Sequence, residues 1–424
     1  MEKLHLKREK HENAKRNNMN MKKIIITLNK CIKKIIKNVI IKLYHLELKI
    51  LPLQKDIVVF ESNMGRNYTG NPKCIYEEMV RQGVDKKYRC YYLFDDVTIQ
   101  IPGNAKKIRR SRLCYYYIMA IAGILVCDSR QPEYIKKRKG AHVIQTWHGT
   151  PLKKLALDME FVSIDGDTDI NKYKEAFYKD SRAWDFLISQ NQYSTDIFRR
   201  AFAFEKKVLE IGYPRNDILF RGNNPEYIND LKKKMGLPSD KKVLLYAPTW
   251  RDNQFYDKGA YKFASTLDFD LLQEMFGSDY VCIVKYHYLV KDQLDWSKYI
   301  GFVYQFDMCE DISQLYLVAD MMITDYSSVM FDYSLLKRPM LFFAYDLEDY
   351  KDNLRGFYFD FIEEAPGPIT RTTKELIESI RQYNPEDYKE KYKVFHQKYN
   401  HADDGNASKK MVQLIEKLIV SGGI

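Results

Sequence analysis

Hydrophobic and polar positions change their period along this chain, and each period predicts a different element. In "KKIIITLNKCIKKIIKNVIIKLYHLEL", Ile24, Leu28, Cys31, Ile32, Ile35, Val39 and Leu43 recur at helical spacing, while Lys23, Lys30, Lys33, Lys34 and Lys37 gather on the other side. The stretch predicts an amphipathic basic helix. Lysines interrupt it too often for the roughly 18 uncharged residues that a membrane span requires. No small-residue cleavage site follows, as a signal peptide would need. Such a helix suits the interface of an anionic membrane, where each lysine contributes about 1 kcal/mol. The alternative is a helix packed on its own globular body with a solvated lysine face.

From residue 57 the pattern becomes short apolar runs separated by helical segments. "IVVF", "RCYYLF", "ILVCDS" and "AHVIQTW" predict strands, with helices at "NPKCIYEEMVRQG" and "SRLCYYYIMAIAG". After a charged helical stretch at 171–183, a second series reads as strands or strand ends: "WDFLISQN", "KVLEIGYPRND", "KKVLLYAPTWR", "DYVCIVKYH", "ADMMITDYSS" and "PMLFFAYD". Strands alternating with helices predict parallel sheets covered on both faces. The fold class is α/β, two doubly wound domains in tandem with their strand C-termini toward a shared cleft. The expected division is a basic arm and helix (1–55), a first domain (56–210), a second domain (211–400) and a C-terminal helix (401–424) crossing back to the first. "APGP" at 365–368 reads as a surface turn, and the globular part contains no internal repeat.

Composition narrows the classes. A chain of 424 residues exceeds one ordinary core and fits two domains plus an appendage. A net charge of +11 favours anionic partners such as a membrane surface, a phosphorylated substrate or a nucleic acid. Much of the lysine excess lies in the first fifty residues, with no aromatic-interleaved basic stripe in the body, so no nucleic-acid partner is expected. Seven scattered cysteines with no CxxC pair argue against a disulfide framework or a zinc site, and for a reducing compartment. The chain has no GxxxxGK[ST] and no GxGxxG, which removes the strongest support for ATPase and dinucleotide-dehydrogenase readings.

Candidate chemistry sits just after the strands. His148 in "QTWHGTPLKK" is either a proton-exchanging group or a histidine bonded to backbone. Lys285 and His287 in "VKYHY" share one side of a strand end. In "ITDYSSVMFDYSLLKRP" a strand ends at Asp325 and a helix begins near Ser327 or Ser328. Free backbone N–H groups and the serine hydroxyls there suit a phosphate, whereas plain capping explains one serine. "APTWRD" adds Thr249 and Arg251, the latter a phosphate fork or an ion pair with Asp252, and "IGYPRND" adds Arg215 and Asn216. Asp332 is too far along from Asp325 to pair with it on a metal, and no metal or cofactor is expected.

The ordered series "TWHGTPLKKLALD", "GYPRND", "YAPTWRD", "KYHY", "ITDYSSVMFDYSLLKRPMLFFAYDLEDY" and "RGFYFDF" resembles the CDP-glycerol glycerophosphotransferase family, bacterial enzymes that prime and polymerise wall teichoic acid, from about residue 57 to the C-terminus. The resemblance implies a GT-B fold and transfer of glycerol phosphate from CDP-glycerol to a hydroxyl on an undecaprenyl-diphosphate-linked acceptor. It also implies a peripheral enzyme at the cytoplasmic face of the membrane, for which the basic amphipathic pattern of residues 22–50 is the expected contact. It makes His148 the catalytic base and His287 a second histidine near the donor pyrophosphate. Asp325, Ser327, Ser328, Arg251, Thr249, Arg215 and Lys285 fall to the donor site. Gly149, Thr150 and Lys153 fall to the acceptor side, with the choice between Lys153 and Lys154 as phosphate contact left open. Having only the basic helix ahead of the body, the chain resembles the shorter, primase-like members. A CDP-ribitol or capsule-building transferase, or a GT-B glycosyltransferase using a nucleotide sugar, is the alternative.

Overall fold

The computed structural model describes residues 28–161, 169–249, 255–257, 260–261, 266–285, 295–306, 311–347 and 356–421. The first sheet contains β1 (Gln54–Glu61), β2 (Arg89–Phe94), β3 (Lys106–Arg109), β4 (Ala122–Cys127), β5 (His142–Gln145), β6 (Phe186–Ser189) and β7 (Lys207–Glu210). Its order is β3-β2-β1-β4-β5-β6-β7, and every pairing is parallel. The linker 211–216 leads to β8 (Lys242–Ala247), a small antiparallel pair β9 (Phe255–Asp257) and β10 (Ala260–Tyr261), and then β11 (Tyr280–Val284), β12 (Val303–Gln305), β13 (Met321–Thr324), β14 (Met340–Phe343) and β15 (Ile369–Thr370). The second sheet runs β12-β11-β8-β13-β14-β15, again all parallel. Both are Rossmann-like sheets whose strand order reverses at β1/β4 and at β8/β13. Beside such reversals the strand C-termini leave a crevice for ligands.

The inner strands are apolar because both faces are covered. In β1, Val58 and Phe60 pack with Ile75 and Met79 of the helix Gly70–Arg81 and with Met411 and Ile415 of the C-terminal helix Ala407–Ser421. Ile57 and Val59, pointing the other way, join a cluster with Trp147, Phe198 and Phe202. The C-terminal helix therefore braces the first sheet after the chain has completed the second. The buried Asp217 carboxylate caps it, accepting the amide N–H of Ala407 (3.0 Å) and of Ser408 (2.8 Å).

"APGP" is not a surface turn: Ala365, Pro366 and Gly367 are buried. A methyl group on Gly367 would lie 1.9 Å from the Met340 carbonyl oxygen, so β14 lies directly against the turn. Residues 28–50 are helical. Tyr44 is fully buried, its hydroxyl donating to the Lys136 carbonyl (3.0 Å). The apolar stripe read from the sequence, continued here as Leu28, Ile32, Ile35, Val39, Leu43, Leu46 and Ile50, stays between 45% and 66% exposed. No helix among the described residues is long and apolar enough to cross a membrane.

Candidate active site

His148 lies three residues beyond β5, in a segment whose backbone is gripped by side chains. Trp147 has a left-handed backbone (φ 51°), a costly conformation for a bulky residue that persists only where its surroundings over-determine it. Its N–H donates to Gln145 Oε1 (3.0 Å). Asn71 Nδ2 donates to the carbonyls of Thr146 (3.2 Å) and Trp147 (3.1 Å). Arg215 Nη1 donates to the carbonyl of His148 (2.7 Å). The buried Trp147 ring stacks on the imidazole with centroids 4.3 Å apart.

The histidine itself is exposed to solvent, although protein packs closely around its ring. Its Nδ1 lies 3.0 Å from the Asp128 carbonyl oxygen. A carbonyl can only accept, so Nδ1 carries the proton and Nε2 keeps its lone pair. Burial holds the imidazole's proton affinity below the ordinary histidine value. The bond to the Asp128 carbonyl opposes this, and the Arg215 charge adds to it.

The two sheets carry matching aspartates at their reversals. Asp128 directly follows β4 and accepts the Asn63 N–H (2.8 Å), two residues beyond β1. Asp325 directly follows β13 and accepts the Thr249 N–H (2.8 Å), two residues beyond β8. Each ties together the loops that bound its crevice. Burial pushes the Asp128 carboxyl up to about 6, against the Ser129 hydroxyl and the Asn63 amide that favour its anion.

Across the cleft, Ser328 stands at the N-cap of the short helix Val329–Tyr333 without making a side-chain cap bond. Neither it nor Ser327, both half-buried, uses its hydroxyl in a protein hydrogen bond among the described residues. Plain capping therefore does not account for the pair. The His148 segment and this wall are in contact: a methyl group on Gly149 would lie 3.3 Å from Ser328 Oγ and 3.5 Å from Arg215 Nη2. Gly149 thus makes room for the opposite wall of the protein itself.

The other candidates divide. Thr150 is buried, its hydroxyl bonded to Gln190, so it does not present that group to the cleft. Lys153 pairs by backbone with Phe357, and Lys154 donates its N–H to Gly356 (2.8 Å) while its ammonium meets Glu160 (2.7 Å). Lys285 Nζ donates to the Phe306 carbonyl (3.1 Å). Arg215 has both Nη groups engaged, one by His148 and one by the buried Asp332. His287 and Arg251 lie outside the described residues. Among the described residues no group of three or more His, Cys, Asp or Glu is placed to hold a metal ion. Reading the sequence missed Asn71 and Asp128, and considered Asp332 only as a metal partner, not as the partner of Arg215. For Asp128 a signal existed, since "LVCDS" ends its strand as "MITDYSS" does.

Two parallel Rossmann-like sheets presenting their strand C-termini to one cleft define the GT-B-like class of transferases. The chain belongs to the CDP-glycerol:poly(glycerophosphate) glycerophosphotransferase family, which matches residues 43–417. It is 45% identical over 402 residues to the teichoic acid poly(glycerol phosphate) polymerase of Bacillus subtilis strain 168, covering 94% of this chain and 53% of that protein. It is 41% identical to the polymerase of the same name from Bacillus spizizenii, covering 89% of this chain and 97% of that one. It is 40% identical to a Staphylococcus aureus teichoic acid glycerol-phosphate transferase, covering 91% of this chain and 99% of the relative. The chain thus spans about half the length of the first of these and nearly all of the other two. The solved wall teichoic acid polymerase TagF superposes with a TM-score of 0.86 at 42% identity, covering 92% of this chain and 96% of that one.

Proposed function

We propose that this protein transfers glycerol phosphate from CDP-glycerol to a hydroxyl of an undecaprenyl-diphosphate-linked acceptor in teichoic acid synthesis. The observation that carries the reading is the His148 imidazole, whose Nδ1 proton is donated to the Asp128 carbonyl so that Nε2 stays basic, held beside two serines that do not cap their helix. The acceptor oxygen attacks the phosphorus that bears glycerol, and His148 Nε2 takes the hydroxyl proton. The bond from that phosphorus to the bridging oxygen breaks, and CMP leaves with the electron pair. This is a reaction served by positioning and charge stabilisation. Ser327 and Ser328 hold the donor phosphates. His287 takes the donor-side role that the family resemblance gives it, and Arg251 that of a guanidinium fork for a donor phosphate. A TagF variant soaked with CDPG is among the similar solved structures, at 42% identity and a TM-score of 0.85.

The exposed stripe from Leu28 to Ile50, flanked by lysines, suits a membrane interface at the cytoplasmic face, where the lipid-linked acceptor would be met. The primase-like reading from chain length loses its force, because a relative of matching length is called a polymerase. The ribitol-phosphate relatives are 28–29% identical, against 40–45% for the glycerol-phosphate proteins above, which favours the glycerol donor.

The test is incubation with CDP-glycerol and a lipid-linked disaccharide analogue, followed by mass spectrometry. One added glycerol phosphate with CMP marks a primase, and a ladder marks a polymerase. Product from CDP-ribitol alone, or none from either donor, overturns the reading.

A further inference from the structure

Arg215 lies in the linker between the two sheets and touches both of their walls. Its backbone N–H donates to Asn71 Oδ1 (3.1 Å), and the same Asn71 grips the carbonyls of Thr146 and Trp147. Its Nη1 holds the His148 carbonyl at 2.7 Å. Its Nη2 bonds to Asp332 of the second domain, which is 2% exposed. Asp332 is fixed in turn by Asn216 Nδ2 (3.0 Å), and the Arg215 carbonyl accepts the Ser313 hydroxyl (3.1 Å). The guanidinium therefore bridges the peptide carrying His148 and the helix that begins at Ser328.

We propose that Arg215, locked by Asp332, is a positioning residue that presents His148 to the donor wall of Ser327 and Ser328. This rests on the reading of His148 as the proton acceptor. A planar fork can hold two acceptors at a fixed angle, which a lysine cannot reproduce. Misplacing a catalytic group by about 1 Å can cost about 10²-fold in rate. The rival role is a donor-phosphate ligand, which would draw on the guanidinium N–H groups that His148 and Asp332 do not use, the buried Nε–H among them.

The groups facing His148 are the Asp128 carbonyl at the end of β4, the Trp147 ring, and Arg215. Behind Arg215 stand Asp332 and Asp311. Removing the Arg215 charge should raise the proton affinity of the imidazole, and leaving that charge unneutralised should lower it.

The experiment compares Arg215→Gln, Arg215→Lys and Asp332→Asn with the natural protein in three readouts. These are kcat and KM for CDP-glycerol, the pH dependence of kcat/KM, and the His148 imidazole titration by NMR, assigned with His148→Asn. The expected result is a fall in kcat of about 10- to 100-fold in all three variants, with donor KM within about threefold. The acid limb and the NMR titration should move to higher pH in Arg215→Gln, stay in Arg215→Lys, and move to lower pH in Asp332→Asn. Should Arg215→Gln fail to fold, the other two variants carry the test. A rise in donor KM with kcat kept makes Arg215 a phosphate ligand and overturns the clamp, as do unchanged kcat and an unmoved titration. If the natural protein releases no CMP while the titrations still move as stated, the functional reading fails and the contact stands.

Discussion

His148 donates its Nδ1 proton to the carbonyl of Asp128 at 3.0 Å, which leaves Nε2 as the only basic position on the ring. Burial and the Arg215 charge hold its proton affinity below the ordinary histidine range. The acid limb of kcat/KM, where the imidazole protonates, should therefore lie at a lower pH than an ordinary histidine would give. His148→Ala should lose about 10²- to 10⁴-fold in kcat while binding of CDP-glycerol, followed by calorimetry, is nearly unchanged. Equal loss of binding and turnover would move His148 to the donor site.

Ser327 and Ser328 make a contrasting prediction, because neither hydroxyl has a protein partner among the described residues and Ser328 does not cap its helix. A hydrogen bond to a charged group contributes roughly 1.5–3 kcal/mol, so replacing either serine by alanine should raise the donor KM about tenfold or more. Thermal stability should not change. A drop in Tm on Ser328→Ala, of the size a lost cap gives, would show that the hydroxyl supports the fold instead of the donor.

The inner strands were legible because burial on both faces forces continuous apolar runs, as in "IVVF" and "ILVC". Of the four edge strands of the two parallel sheets, β7 was legible in "KVLE" and the other three were not. β3 is "KKIR", β12 is "VYQ" and β15 is "IT", short and in part polar, the form that keeps an edge from pairing with another chain. His148, Asp325 and the serines were legible because a doubly wound sheet gathers its chemistry at strand C-termini. The pairing of Arg215 with Asp332 was not, since no local period links residues so far apart in the chain. Reading "APGP" as a surface turn failed for a similar reason. Its composition marks a bend, but the covering β14 is set by the tertiary fold.

Asp403 gives stability a pH dependence. Its carboxyl accepts Gln190 Nε2 (2.7 Å) and the Tyr213 N–H (3.0 Å), yet burial, with Asp332 nearby, raises it from 3.8 to about 7. Between those values the folded state keeps a proton that the unfolded state releases. The contribution of this group to the unfolding free energy should therefore fall as pH rises from about 4 to about 7, by at most about 1.4 kcal/mol per unit. Asp403→Asn cannot ionise, so the gap between natural protein and variant should shift in the variant's favour across that window, measured by urea unfolding at pH 4.5, 6 and 7.5. Parallel curves would mean that Asp403 is ionised throughout.

Asp217 joins the linker to the C-terminal helix, and its loss should loosen that helix from the first sheet. The carboxylate accepts two of the amide N–H groups that begin Ala407–Ser421, the role of a cap residue performed from 190 residues away in sequence. The Ser408 hydroxyl adds a bond to the Pro214 carbonyl (3.3 Å), so linker and helix start form one unit. The helix then packs Met411, Val412, Ile415 and Leu418 on the face of the sheet that carries Val58 and Phe60. Asp217→Ala leaves two buried amides without their acceptor, which costs about 2 kcal/mol at the upper end of measured caps. Asp217→Asn keeps one acceptor oxygen and should lose less. Hydrogen exchange should localise the effect, with amides of 407–412 exchanging faster in Asp217→Ala while those of β8 and β13 are unchanged. If protection instead falls evenly across both sheets, the helix is not a separately held brace and unfolds only with the whole chain.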